Sequence, residues 1–205
     1  MPDLTTLADR QEYANLLLGM SEQRMAALAD KLANGSIQLI DFQITMREEL
    51  RRANAYQLIA GAGGNKANVK ADDWLKLGSE LQKQYRYLSN FSREIQAGNL
   101  SAAQIKARTA LYARSAQSVF WKQALPVTLP AHPRDGSTQC RSNCLCSWAI
   151  DYEYDDSGAV AAVLATWTLD PTERHCPDCP ERAARWNPLR IPVGYSFNQT
   201  SEMVS

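Results

Sequence analysis

The sequence predicts an α+β protein: an N-terminal helical bundle or hairpin array followed by a small β-hairpin unit. Three observations predict it. Apolar residues recur at three- and four-residue steps through residues 1–125. After a proline-rich stretch, LPVTLPAHPRDGS at 125–137, the period changes to two. All five cysteines fall between residues 140 and 179, in two groups flanking the period-two segment. These features divide the chain into a helical domain (1–125), a Pro-rich connector (126–138), a cysteine-bearing hairpin unit (139–190) and an irregular tail (191–205).

The helices follow in order. Leu4, Leu7, Ala8 and Ala14 stand near helical spacing over about 4–18. Ser21 reads as the N-cap of a further short helix, which Asn34-Gly35 ends through a left-handed C-cap. The next helix starts at Ser36 or Asp41, carries Phe42, Met46, Leu50, Ala53 and Ile59, and stops at GAGG, 61–64. The longest runs from about Asp72 to Ala97 with a stripe of Trp74, Leu77, Leu81, Tyr85, Leu88 and Ile95. Ser101 caps a last helix bearing Ile105, Leu111, Tyr112, Val119 and Phe120. Four or five helices with short connections make a bundle or hairpin array. Aromatic residues at this period belong to a core. Arg47, Glu48, Glu49, Arg51 and Arg52 read as a solvated face laced with i,i+4 pairs. GAGGNK lacks the ending and the preceding strand of a phosphate loop.

Bulk composition narrows the function classes. The chain has 205 residues, enough for one large domain or two modest ones, with 22 basic and 22 acidic residues. Residues 1–125 hold 16 Lys+Arg against 12 Asp+Glu, and residues 126–205 hold 6 against 10. Neither imbalance by itself implies a nucleic-acid-binding protein. No apolar run approaches the ~20 residues of a membrane span. MPDLTTLADRQEY lacks the basic start and apolar stretch of a secretory signal, so folding in a reducing cytosol is expected, where disulfides are rare.

In the second part, Trp148, Ile150, Tyr152 and Tyr154 alternate with Ala149, Asp151 and Glu153. DDSG at 155–158 is a turn signal, and AVAAVLATWTL at 159–169 reads as a more buried strand. An antiparallel hairpin brings the two cysteine groups to one end, which is a zinc-ribbon-like arrangement. Cys176-x2-Cys179 lets one tight loop present two sulfurs to one metal, and Cys140-x3-Cys144 matches it. The expected zinc ligands are Cys140, Cys144, Cys176 and Cys179, with Cys146 as the alternative to Cys140. His175 and His132 stand beside better donors. A redox C-x-x-C would begin a helix in a strand–helix–strand context, which is not expected here. Asp170, Glu173 and Asp178 lie near the site, but two histidines and a full thiolate set leave no open catalytic position and no triad pattern. No enzymatic activity and no catalytic residue are therefore expected.

The pattern as a whole resembles the minor head, or head-morphogenesis, proteins of tailed bacteriophages, similar to the Mu protein F group. The resemblance rests on DFQITMREELRRANAYQLIAGAGG, on LGSELQKQYRYLSNFSREIQAGNLSAAQIKARTALYARSA, on the approach LPAHPRDGSTQC, and on NCLC paired with HCPDCPERAARWNPL. It spans most of residues 35–190. In that family a C-x-x-C precedes a C-x-C segment, whereas here NCLC comes first and HCPDC second. By motif match, the resemblance makes Cys144, Cys146, Cys176 and Cys179 the family's four cysteines. It implies a virion protein of the head or portal region, made in the host cytoplasm, with portal or capsid proteins as partners and packaged DNA nearby. The alternative class is a zinc-containing nucleic-acid-binding protein or nuclease of phage DNA processing. A third is a host-directed interaction protein using the same zinc unit.

Overall fold

The computed structural model describes residues 4–133, 135, 137–140, 146–171, 174–197 and 203–204. The protein is α+β and divides into two compact units, 1–124 and 125–205.

The first unit is helical: α1 (Leu7–Ala33), α2 (Leu39–Gly61), α3 (Ala71–Gln96), α4 (Ala102–Ser115) and α5 (Gln117–Ala124). The predicted break at Ser21 is absent, and α1 is continuous. Ser21 is buried in mid-helix, its Oγ donating to the Leu17 carbonyl at 3.1 Å and accepting from Arg24. A serine can satisfy its hydroxyl this way instead of starting a helix. The true cap is Thr6, whose side chain accepts from the Asp9 N–H in a reciprocal capping box. Conversely, the last predicted helix is two, because the chain turns at Ser115–Ala116, where Ser115 Oγ donates to the Tyr112 carbonyl.

Helix α2 is central, packing on α1, α3 and α5, while α1 also packs on α4. Its stripe of Phe42, Met46, Leu50 and Ala53 is fully buried with Met25, Leu88 and Phe91. Burying each large apolar side chain contributes roughly 1.5–3 kcal/mol. The α2–α5 contact is backbone-close at Gly61. A Cβ added there would lie 2.8 Å from Gln123 Cβ and 2.9 Å from the Phe120 carbonyl oxygen. The charged run on α2 is not wholly solvated. Glu49 is buried and paired with Arg24 and Arg52 at 2.8 and 2.6 Å.

The second unit holds a three-stranded antiparallel sheet, β1 (Ser147–Tyr154), β2 (Val160–Thr168) and β3 (Leu189–Pro192), in the order β1-β2-β3. The predicted hairpin is its first two strands, with Ser147 opposite Thr168. Asp155 closes the turn, its Oδ1 accepting from the N–H groups of Ser157 and Ala159. Two expectations are corrected. The expected tail, 191–205, is not all irregular: β3 runs into it along the open edge of β2, and β4 (Ser196–Phe197) pairs with β5 (Met203–Val204). The Pro-rich segment is not a bare connector. Leu125, Val127, Leu129 and Ala131 are buried at alternate positions, and Trp148 Nε1 donates to the Ala131 carbonyl at 3.0 Å. An extended chain with every second residue apolar buries one side even where prolines forbid a helix. An unforeseen helix, α6 (Asp178–Arg185), lies between β2 and β3 in sequence.

Candidate metal centre

The hairpin brings the cysteine groups together as its topology requires. The register places Ser147 against Thr168 at the open end. One segment leads into that end through Cys146, and the other leaves toward His175 and α6. Three sulfurs converge there. Cys176 Sγ lies 3.4 Å from Cys140 Sγ and 3.5 Å from Cys179 Sγ, and Cys140 Sγ lies 3.7 Å from Cys179 Sγ. Among the described residues this is the only group of three Cys, His, Asp or Glu side chains close enough to hold a metal. Cys179 is buried, and Cys140 and Cys176 are partly so.

The spacing discriminates between chemistries. Disulfide sulfurs stand at about 2.05 Å, far closer than these. Zinc with bonds of about 2.3 Å to four sulfurs in a tetrahedron sets its sulfurs about 3.8 Å apart. The three observed separations form one triangular face of such a tetrahedron, slightly contracted. The trio can therefore bind a metal, and thiolates suit zinc and other soft or borderline ions.

Packing holds Cys140 opposite the C-x-x-C loop. The Gln139 N–H donates to Asp178 Oδ2 at 2.7 Å, and the Cys179 N–H donates to the Cys176 carbonyl at 3.1 Å. Arg182, one turn along α6, donates to the Ser137 hydroxyl at 3.1 Å and to the Ser137 carbonyl at 2.9 Å. Its guanidinium lies over Trp167 and Trp186, 5.2 and 5.4 Å from the ring centres. Trp148 completes a buried aromatic cluster with these two, edge-on to Trp167 at 5.1 Å. Sequence reasoning missed this clasp. Its members lie about 40 residues apart, and no local pattern joins Ser137 to Arg182.

Electrostatics favours the bound form. Burial opposes ionisation of the Cys176 thiol. Hydrogen bonds from the backbone and side chain of Cys140 and Cys179 outweigh that and bring its pKa down to about 7. A thiolate is the form that ligates metal.

The remaining sequence-nominated residues divide. Cys144 and Glu173 lie outside the described residues. Cys146 is buried and stands apart from the trio, its Sγ 3.8 Å from His175 Nδ1. His175 Nε2 lies 2.8 Å from the Asp170 carbonyl oxygen, which can only accept, so Nε2 carries a proton. Asp178 serves the Gln139 N–H, and the His132 N–H donates to Asp135 Oδ2 at 2.7 Å. One expectation about context is overturned: Cys179 lies in the first turn of α6, so this C-x-x-C does begin a helix between strands. What separates it from a dithiol redox pair is the third sulfur, within 3.7 Å of both others.

Among the described residues no helix is long and apolar enough to cross a membrane. Compared with protein-family models, curated proteins and solved structures, the chain has no match.

Proposed function

We propose that the chain is a non-enzymatic structural protein whose C-terminal unit is stapled by one zinc ion, acting in the head or portal region of a tailed phage. The observation that supports the zinc is the three-sulfur face of Cys140, Cys176 and Cys179 at tetrahedral spacing. Cys144 supplies the fourth thiolate by its C-x3-C spacing from Cys140, since Cys146 is engaged with His175. A fully thiolate-ligated zinc has no open position for a substrate or water, so its role is to hold the fold. The need is physical. The unit spans residues 125–205 around a small sheet, and small cores gain most from a staple. Structural zinc contributes on the order of 10–16 kcal/mol of apparent binding energy at neutral pH.

The sequence resemblance over residues 35–190 supports the phage role, with portal or capsid proteins as partners and the virion as the destination. The test is co-purification: tagged chain, expressed in the producing host during infection, should sediment with portal rings or capsids. Its absence from immature and mature particles alike would remove the phage role and leave the zinc staple untouched.

A further inference from the structure

Between α2 and α3 an open cleft of about 360 Å³ is lined by Arg47, Tyr85, Arg86, Ser89, Asn90 and Arg93. Three of these six are arginines, and none is a carboxylate. Elsewhere in the helical unit Arg24, Arg52, Lys83, Lys106, Arg108 and Arg114 pair with Asp or Glu, while the other basic residues, Arg10, Lys31 and Arg51 among them, form no ion pair among the described residues. Among the described residues, the three cleft arginines make no such pair. Two of them are nonetheless held in place by neutral groups. Arg47 lies over the Tyr85 ring at 5.6 Å and donates to Ser89 Oγ at 3.3 Å, and Arg93 donates to Asn90 Oδ1. A guanidinium oriented by neutral partners keeps its full charge and its remaining donors for an incoming anion.

The spacing selects the anion. Arg86 and Arg93 stand seven residues apart on α3, about 10 Å along the helix axis. Two turns apart on one face, with Arg47 across from them, the arginines make a row of positive charge rather than a single point, which suits a chain of phosphates better than one. Arg47 faces them from α2, and the cleft is open to solvent. We propose that this cleft binds the phosphodiester backbone of a nucleic acid, with Arg47, Arg86 and Arg93 each taking a phosphate. Contacts of this kind carry no sequence information, so binding is sequence-tolerant and salt-sensitive. The proposal is independent of the metal centre, because every residue it uses lies in the helical unit.

The test uses the full chain and a labelled mixed-sequence oligonucleotide of about 20 nucleotides, single-stranded and duplex, followed by fluorescence anisotropy over about 50–200 mM salt. R86A/R93A is compared with K31A/K76A, which removes the same charge from exposed lysines outside the cleft. The wild-type log–log salt slope on duplex should be near −3, at about 0.9 per phosphate contact. R86A/R93A should weaken binding roughly tenfold or more and flatten the slope by about two, while K31A/K76A stays within about twofold. Both cleft positions are exposed, and matching far-UV melts of the two double variants keep the comparison one of binding. Absence of wild-type binding at the lowest salt overturns the proposal. So does equal weakening by both double variants, which means diffuse charge. Displacement by inorganic phosphate at matched ionic strength overturns the backbone assignment in favour of a single-anion pocket.

Discussion

Arg182→Ala should loosen the metal centre without touching a ligand. Arg182 makes two hydrogen bonds to Ser137 and lies over two tryptophan rings. At this partly exposed site, each charge-assisted hydrogen bond contributes about 1 kcal/mol. Each cation–π contact adds about 0.5–1 kcal/mol. Because the contacts share one side chain, their loss together should cost about 2–4 kcal/mol in the second unit. The loss falls on the segment that carries Cys140, three residues beyond Ser137. Outer-shell changes of this kind typically lower metal affinity by about 10–100-fold. Zinc competition against a chromophoric chelator reads the affinity, and urea unfolding followed by tryptophan emission reads the stability. Arg182→Lys keeps the charge but loses the fork, so it should recover only part of either. An Arg182→Ala protein with both readings within about 0.5 kcal/mol of wild type would refute the clasp.

Two other perturbations test separate parts of the structure. Gly61→Ala forces a Cβ to within 2.8 Å of Gln123 Cβ at the α2–α5 contact, and should cost the helical unit about 1–3 kcal/mol in a far-UV melt. A neutral or stabilising result would mean that the helices approach less closely. In metal-free protein, thiolate absorbance near 240 nm should show Cys176 ionising at about 7, and Cys140→Ala should move that midpoint upward by removing one thiol partner. The folded value lies below the ordinary 9.0, so the thiolate's contribution to metal-free stability is complete above that pH. It is lost as pH falls through about 7. A midpoint unmoved by Cys140→Ala would count against the thiol cluster.

Much of the fold was legible because it follows from periodicity. The α2 and α3 stripes and the β1–β2 hairpin are local patterns, and packing of one face enforces them. The misreadings share a cause: a residue with two local options, settled by its neighbours. Ser21 has the chemistry of a cap but is buried against Arg24, inside a continuous helix. Leu189–Pro192 is too short to announce a strand, yet β2 offers it an open edge. The thiol loops were legible in position, because a hairpin must bring them together. Which first-loop cysteine joins Cys176 and Cys179 was not, since both C-x3-C and C-x-C spacings are sterically usable. The answer depends on Gln139, Asp178 and Arg182, which fix Cys140. The arginine cleft was invisible for the same reason: Arg47 and Arg93 lie 46 residues apart and meet only across α2 and α3.

Zinc stoichiometry, with its ligand set, tests the central claim most directly. Elemental analysis of full-length protein purified without chelators should find about one zinc per chain, and X-ray absorption should show a sulfur shell at about 2.3 Å. Cys176→Ser together with Cys179→Ser should abolish the metal and destabilise the C-terminal unit, lowering its Tm. Protein that carries no zinc after growth in zinc-replete medium, or that loses its zinc with no change in fold or Tm, would contradict the account.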